Sequence, residues 1–180
     1  MRFDAPAAGI WKIRVYHTLS IQGEYHMWLP VHGFISDETF FLRPDPDTII
    51  TDPGNTAAII TTAAYSHQTG GIYLHSSRGF TRTGAIKPDL AAPGVRILTT
   101  APGGTYAEAT GTSFATPFVT GASALLMEWG ITKGHDPYLY GEKAIAYLKK
   151  GTRSLPAFSE YPNPQVGWGA LCIKQSLPEI

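Results

Sequence analysis

The 180-residue chain holds a single cysteine, Cys172, so no disulfide can form within it and its stability must come from packing. In Ala170-Leu171-Cys172-Ile173 that thiol reads as a small packing hydrophobe rather than a reactive group. Charge is scarce: Asp, Glu, Lys and Arg make up 16% of the residues, and 14 of each sign cancel to zero. With no basic run, nucleic acid and anionic membrane surfaces have no electrostatic footing. No apolar stretch approaches the ~20 residues of a membrane-spanning helix. Met1-Arg2-Phe3-Asp4-Ala5-Pro6 lacks the apolar core of a signal peptide. Repeats, low-complexity tracts and metal-ligand spacings are missing too. What remains is a globular composition, 43% hydrophobic, enough for a buried core.

The most informative stretch is Gly111-Thr112-Ser113-Phe114-Ala115-Thr116-Pro117, running into Phe118-Val119-Thr120-Gly121-Ala122-Ser123-Ala124-Leu125-Leu126. Gly111 allows a sharp turn, and Thr112 is a reasonable N-cap for a following helix. Ser113 then sits where unpaired N–H groups and the helix dipole favour negative charge. Pro117 is expected in the first helical turns, where it is tolerated. From Phe114 to Trp129 the sequence is apolar and almost uncharged, which predicts a helix buried nearly all round.

Further blocks accompany it. Asn55 to Tyr65 is a small and β-branched run, suited to a strand buried on both faces of a parallel sheet. Leu74-His75-Ser76-Ser77-Arg78-Gly79 follows as a loop. In Lys87-Pro88-Asp89-Leu90-Ala91-Ala92-Pro93-Gly94-Val95-Arg96-Ile97, the Ala92-Pro93-Gly94-Val95 part reads as a turn entering a strand, because Pro and Gly punctuate and Val-Arg-Ile-Leu alternates. Gly167-Trp168-Gly169-Ala170-Leu171 comes near the end. In this order, over about residues 49 to 175, these blocks resemble the subtilisin-like serine proteases (subtilases). The resemblance implies an α/β fold, the C-terminal part of a subtilisin-like parallel-sheet domain. It makes Ser113 the catalytic nucleophile and sets Gly111 and Thr112 beside the bound substrate.

In subtilases a catalytic Asp and then a His precede the serine in the chain. Neither Asp-Ser/Thr-Gly nor His-Gly-Thr-His is present here, and the Asn that completes the oxyanion hole lies upstream in the family. Asn55, in Pro53-Gly54-Asn55-Thr56, superficially resembles that Asn but aligns with the entry to a strand. The six histidines, His17, His26, His32, His67, His75 and His135, all lack the family context. The expectation is a serine endopeptidase whose triad is incomplete within these residues, inactive alone because a serine without its base is a poor nucleophile. The partners implied are a protein or peptide substrate and the upstream portion of the same protease. No cofactor is expected in these residues, although some subtilases bind calcium. Two other readings stand beside this one: a pseudoprotease kept as a binding module, and one piece of a split or processed enzyme.

Residues 1–46 differ in pattern. Gly9 to Tyr16 alternates apolar with polar, Gln22 to Pro30 suggests a turn and a second strand, and Thr39 to Leu42 a third. Pro44-Asp45-Pro46-Asp47 is a stiff, turn-rich boundary. Three strands make a poor core alone, so residues 1–46 are expected to end a β-sandwich, with 47–180 forming the protease portion. Trp11, Tyr25 and Trp28 fit the core of such a sandwich, with carbohydrate stacking the lesser reading. The Gly-Ile-Trp and Trp-Leu-Pro segments, with Ser76 to Arg82 and Met127 to Gly130, resemble the clostridial spore-germination subtilases. That branch carries an inserted jelly-roll domain and implies a secreted, cell-envelope or spore location. A second, amphipathic helix is expected over Gly141 to Lys150, with Ala144, Ile145, Tyr147 and Leu148 inward and Glu142, Lys149 and Lys150 more exposed.

Overall fold

The computed structural model describes residues 7–16, 19, 23–30 and 33–177. It divides into two units, Met1–Phe40 and Phe41–Ile180. His17, His32 and Met1 to Pro6 lie outside the described residues. In the first unit no strand forms among the described residues, so the strands expected at 9–16, 22–30 and 39–42 are not seen. The cause is visible in burial: none of the unit's described residues is buried. Isolated strands without a sheet to join have no core to hold them. Trp11, Tyr25 and Trp28, expected as core, are exposed instead, and His26 stacks on Trp28 with ring centroids 5.4 Å apart.

The second unit is α/β and centred on a parallel strand pair. β1 (Thr62–Tyr65) runs beside β2 (Leu90–Pro93), in a register pairing Thr62 with Leu90 and Tyr65 with Pro93. Only the last four residues of the Asn55–Tyr65 run form the strand. Successive side chains point to opposite faces. Ala64, Leu90 and Ala92 pack with Ala115, Val119, Ala122 and Leu126 of α1 (Thr112–Met127). Ala63, Tyr65 and Ala91 pack with Leu155, Val166 and Ala170 on the other side. Small residues on both strands let helix and loop backbones approach closely. The Gly167–Leu171 segment completes the sheet: Ala91 N–H donates to Gly169 O, and Leu171 N–H to Ala91 O, each at 2.8 Å.

β3 (Ile97–Ala101) and β4 (Thr105–Ala109) form an antiparallel hairpin that follows β2 and precedes α1 in the chain. After α1 comes one π-helical turn, Glu128–Thr132, then α2 (Gly141–Lys150) and the short α3 (Ile173–Ser176). α2 has the expected bounds and buries Ala144, Ile145 and Leu148. Lys149 departs from expectation. Its ammonium turns inward to Asp89 Oδ1 at 2.6 Å. Asp89 is 1% exposed and also takes Lys87 Nζ at 2.6 Å and the Thr61 N–H at 2.7 Å. A carboxylate buried that deeply requires such partners, and through them it joins β1, β2 and α2.

Candidate active site

Two backbone hydrogen bonds build the site from the carboxyl edge of the sheet outward. Tyr65 O, at the end of β1, accepts from Gly94 N–H at 3.0 Å, and Gly94 O accepts from Gly111 N–H at 2.8 Å. The start of α1 is thereby tethered to the edge where ligands gather in open α/β sheets. Gly94 is buried, and a Cβ there would lie 2.7 Å from Ala64 Cβ and 2.8 Å from Gly111 O. Any larger residue would push strand and helix apart.

Gly111, not Thr112, is the N-cap, with φ 155°, a value suited to glycine, and no side chain caps the helix. Thr112 is already helical and half-buried, and Ser113 follows as the second helical residue, exposed. Phe114 N–H closes the first turn onto Gly111 O at 3.1 Å. The amides of Thr112 and Ser113 come before the first intrahelical acceptor can reach them. The first turn carries no acidic residue, so the positive end of the dipole is uncompensated. Thr116, Thr120 and Ser123 turn their hydroxyls back onto the carbonyls of Thr112, Thr116 and Val119. Ser113 Oγ has no such bond among the described residues. Pro117 is the sixth helical residue, within the first two turns, and it has no N–H to give to Ser113 C=O. The result is an exposed hydroxyl beside free N–H donors, a geometry that can meet an acyl carbon and its oxygen together.

No described histidine bonds to Ser113. His135 stacks on Trp129, with centroids 5.1 Å apart, beyond the far end of α1. That places it roughly 20 Å along the axis from Ser113, at about 1.5 Å per residue. His75 is exposed against Tyr73. His67 is exposed on the turn that leaves β1. Asn55 sits at the opposite, amino end of β1, where Thr61 Oγ1 donates to Gly54 O. Among the described residues no group of three or more His, Cys, Asp or Glu stands together to hold a metal ion. No helix among them is long and apolar enough to cross a membrane.

A parallel sheet presenting a serine at a helix start from its carboxyl edge is the arrangement of a subtilase, and the sequence agrees. The subtilase family profile (peptidase S8) matches residues 43–169, so the chain belongs to that family. Among solved structures it is similar to the CspB protease of Clostridium perfringens, with a TM-score of 0.73 and 38% identity, covering 77% of this chain and 30% of that one. The prenylagaramide maturation protease PagA is similar at a TM-score of 0.59 and 27% identity, covering 73% of this chain and 46% of that one. Subtilisin E of Bacillus subtilis is 43% identical over 58 residues, which are 32% of this chain and 15% of that protein. The matched segment thus spans less than half the length of each of these relatives.

Proposed function

We propose that the chain is the nucleophile-bearing portion of a serine endopeptidase. Ser113 Oγ attacks the scissile carbonyl carbon, and a His outside these 180 residues takes its proton while an Asp orients that His. The Ser113 N–H, at the positive end of α1, donates to the developing oxyanion, and an Asn from the same missing portion supplies the second donor. Gly111 and Thr112 flank the reacting carbonyl, where their small size leaves room for substrate backbone. The observation that carries this reading is the exposed Ser113 at the start of α1, hydrogen-bonded through Gly111 and Gly94 to the carboxyl end of β1. By its likeness to the spore-germination branch, the substrate is a protein precursor in the spore, such as the zymogen of a cortex-degrading enzyme. Residues 1–46 are assigned to the inserted jelly-roll and 47–180 to the protease domain.

A second reading is favoured by one observation. On the outer face of α1 Phe118 is 43% and Leu125 52% exposed among the described residues. One piece of a split or processed enzyme would present such a face to the segment that completes it. Co-expression with an Asp- and His-bearing subtilase segment tests both. Peptide hydrolysis by the complex that disappears with Ser113→Ala supports the endopeptidase. A stable complex that covers Phe118 and Leu125 yet hydrolyses nothing would overturn it in favour of a pseudoprotease.

A further inference from the structure

Arg96 holds φ at 51°, a left-handed conformation that an L-residue enters only against a steric penalty and that glycine adopts freely. The sequence places arginine there nonetheless, two residues after Gly94 and immediately before β3. Its contacts show what that conformation achieves. Arg96 N–H donates to Thr110 Oγ1 at 3.0 Å, the residue directly before the Gly111 cap. Its guanidinium reaches across the hairpin to Glu108, with Nε on Oε2 at 2.8 Å and Nη2 on Oε1 at 3.3 Å. Gly94 O holds Gly111 N–H on the inner side of the same turn. The segments 94–96 and 108–111 are therefore joined three times, and all three links close on the residues that deliver Ser113.

We propose that Arg96 and Glu108 act as a positioning pair for the Ser113 turn: the guanidinium–carboxylate fork keeps the β4–Gly111 segment closed against the Gly94 turn, so that Ser113 meets substrate in one orientation. The functional meaning rests on the endopeptidase reading; the mechanical claim does not. A fork-shaped, two-point contact suits the task because it fixes direction as well as distance, which a lysine ammonium cannot do. Mutual hydrogen bonding holds the Glu108 carboxyl below its ordinary range and raises the Arg96 guanidinium, which keeps both groups charged.

The test is amide hydrogen exchange of the full chain, read by mass spectrometry over peptides spanning 108–114. Arg96→Gly keeps the backbone conformation and removes the fork, while Glu108→Gln keeps the shape and removes the charge. Both are expected to speed exchange within 110–114, at the hydrogen-bonded amides of Gly111 and Phe114, about threefold or more, with β1 and α2 unchanged, and Arg96→Lys should recover only part of the protection. Unchanged exchange at 110–114, or an equal increase across the whole second unit, overturns the proposal. In the co-expressed complex the same variants should lower kcat with little change in KM. Exchange needs no reactive serine. An inactive complex whose exchange changes as expected would therefore count against the endopeptidase and leave the pair standing, whereas activity with unchanged exchange would do the reverse.

Discussion

Ser113 and Gly94 carry the site at the scale of single residues, and they differ in how legible they are. The Gly-Thr-Ser string announces a serine at a helix start without the structure. The cap does not follow from it: Thr112 is a good capping residue by type, yet Gly111 takes the position, because its N–H is already bound to Gly94 O. Cap preference is a local average, and here a contact 17 residues away in sequence decides it. Gly94 itself reads only as a turn residue in Ala-Pro-Gly-Val. Its close approach to Ala64 and Gly111 exists only once β1 and α1 are packed. Gly94→Ala should therefore destabilise the second unit by about 1–3 kcal/mol, the usual cost of overpacking. It should also abolish hydrolysis by the co-expressed complex before it abolishes folding, as thermal melts and activity measured side by side would show.

Among the elements, α2 was legible because its apolar spacing is regular and its partner lies on one side. The hairpin β3–β4 was half legible: the alternation at Val-Arg-Ile-Leu marks β3, while Thr105–Ala109 is exposed almost throughout and leaves no hydrophobic period. β2 gives no strand signal of its own, because Leu-Ala-Ala-Pro is short and small and its end overlaps the Ala-Pro-Gly-Val turn. Its strand character comes from β1 on one side and Gly169–Leu171 on the other. Asp89 fastens the amino end of that strand. Asp89→Ala would leave Lys87 buried without its carboxylate, and a loss of about 3–5 kcal/mol is expected on breaking such a buried pair, measurable by denaturant unfolding.

The loop before α2 makes a pH prediction. Lys143 donates to Asp136 and holds its carboxyl below the ordinary range, with Tyr147 OH adding to the effect. A lowered native value means that the contribution is complete above the ordinary carboxylate range and is lost as pH falls through the lowered one. Trp129, packed on His135 and Tyr147, lies close enough to report it. Its fluorescence should change below the ordinary carboxylate range in the parent chain and not in Asp136→Asn.

For the whole molecule, the sequence conveyed an α/β subtilase portion and the order of its parts. It misjudged how much of that portion is covered. α1 is apolar on nearly every face, which predicts burial all round, but among the described residues of the helix only the Ala115, Val119, Ala122 and Leu126 stripe is buried. Composition records what a helix is suited to pack against, and the structure records what is present to pack. The same holds for the first unit, whose alternating segments form no strand among the described residues. Leu126→Ala, in the covered stripe, should cost about 2–5 kcal/mol, whereas Leu125→Ala should change the stability of the chain alone very little.

The central claim is that Ser113 is a nucleophile whose base lies outside these residues. Treating the 180-residue chain with a fluorophosphonate and mapping the adduct by mass spectrometry, with Ser113→Ala as control, tests it most directly. The account predicts no adduct on Ser113 in the chain alone and a Ser113-specific adduct once the Asp- and His-bearing segment is bound. Rapid labelling of Ser113 in the isolated chain would contradict it, and His67, on the turn leaving the same sheet edge, would be the first base to replace.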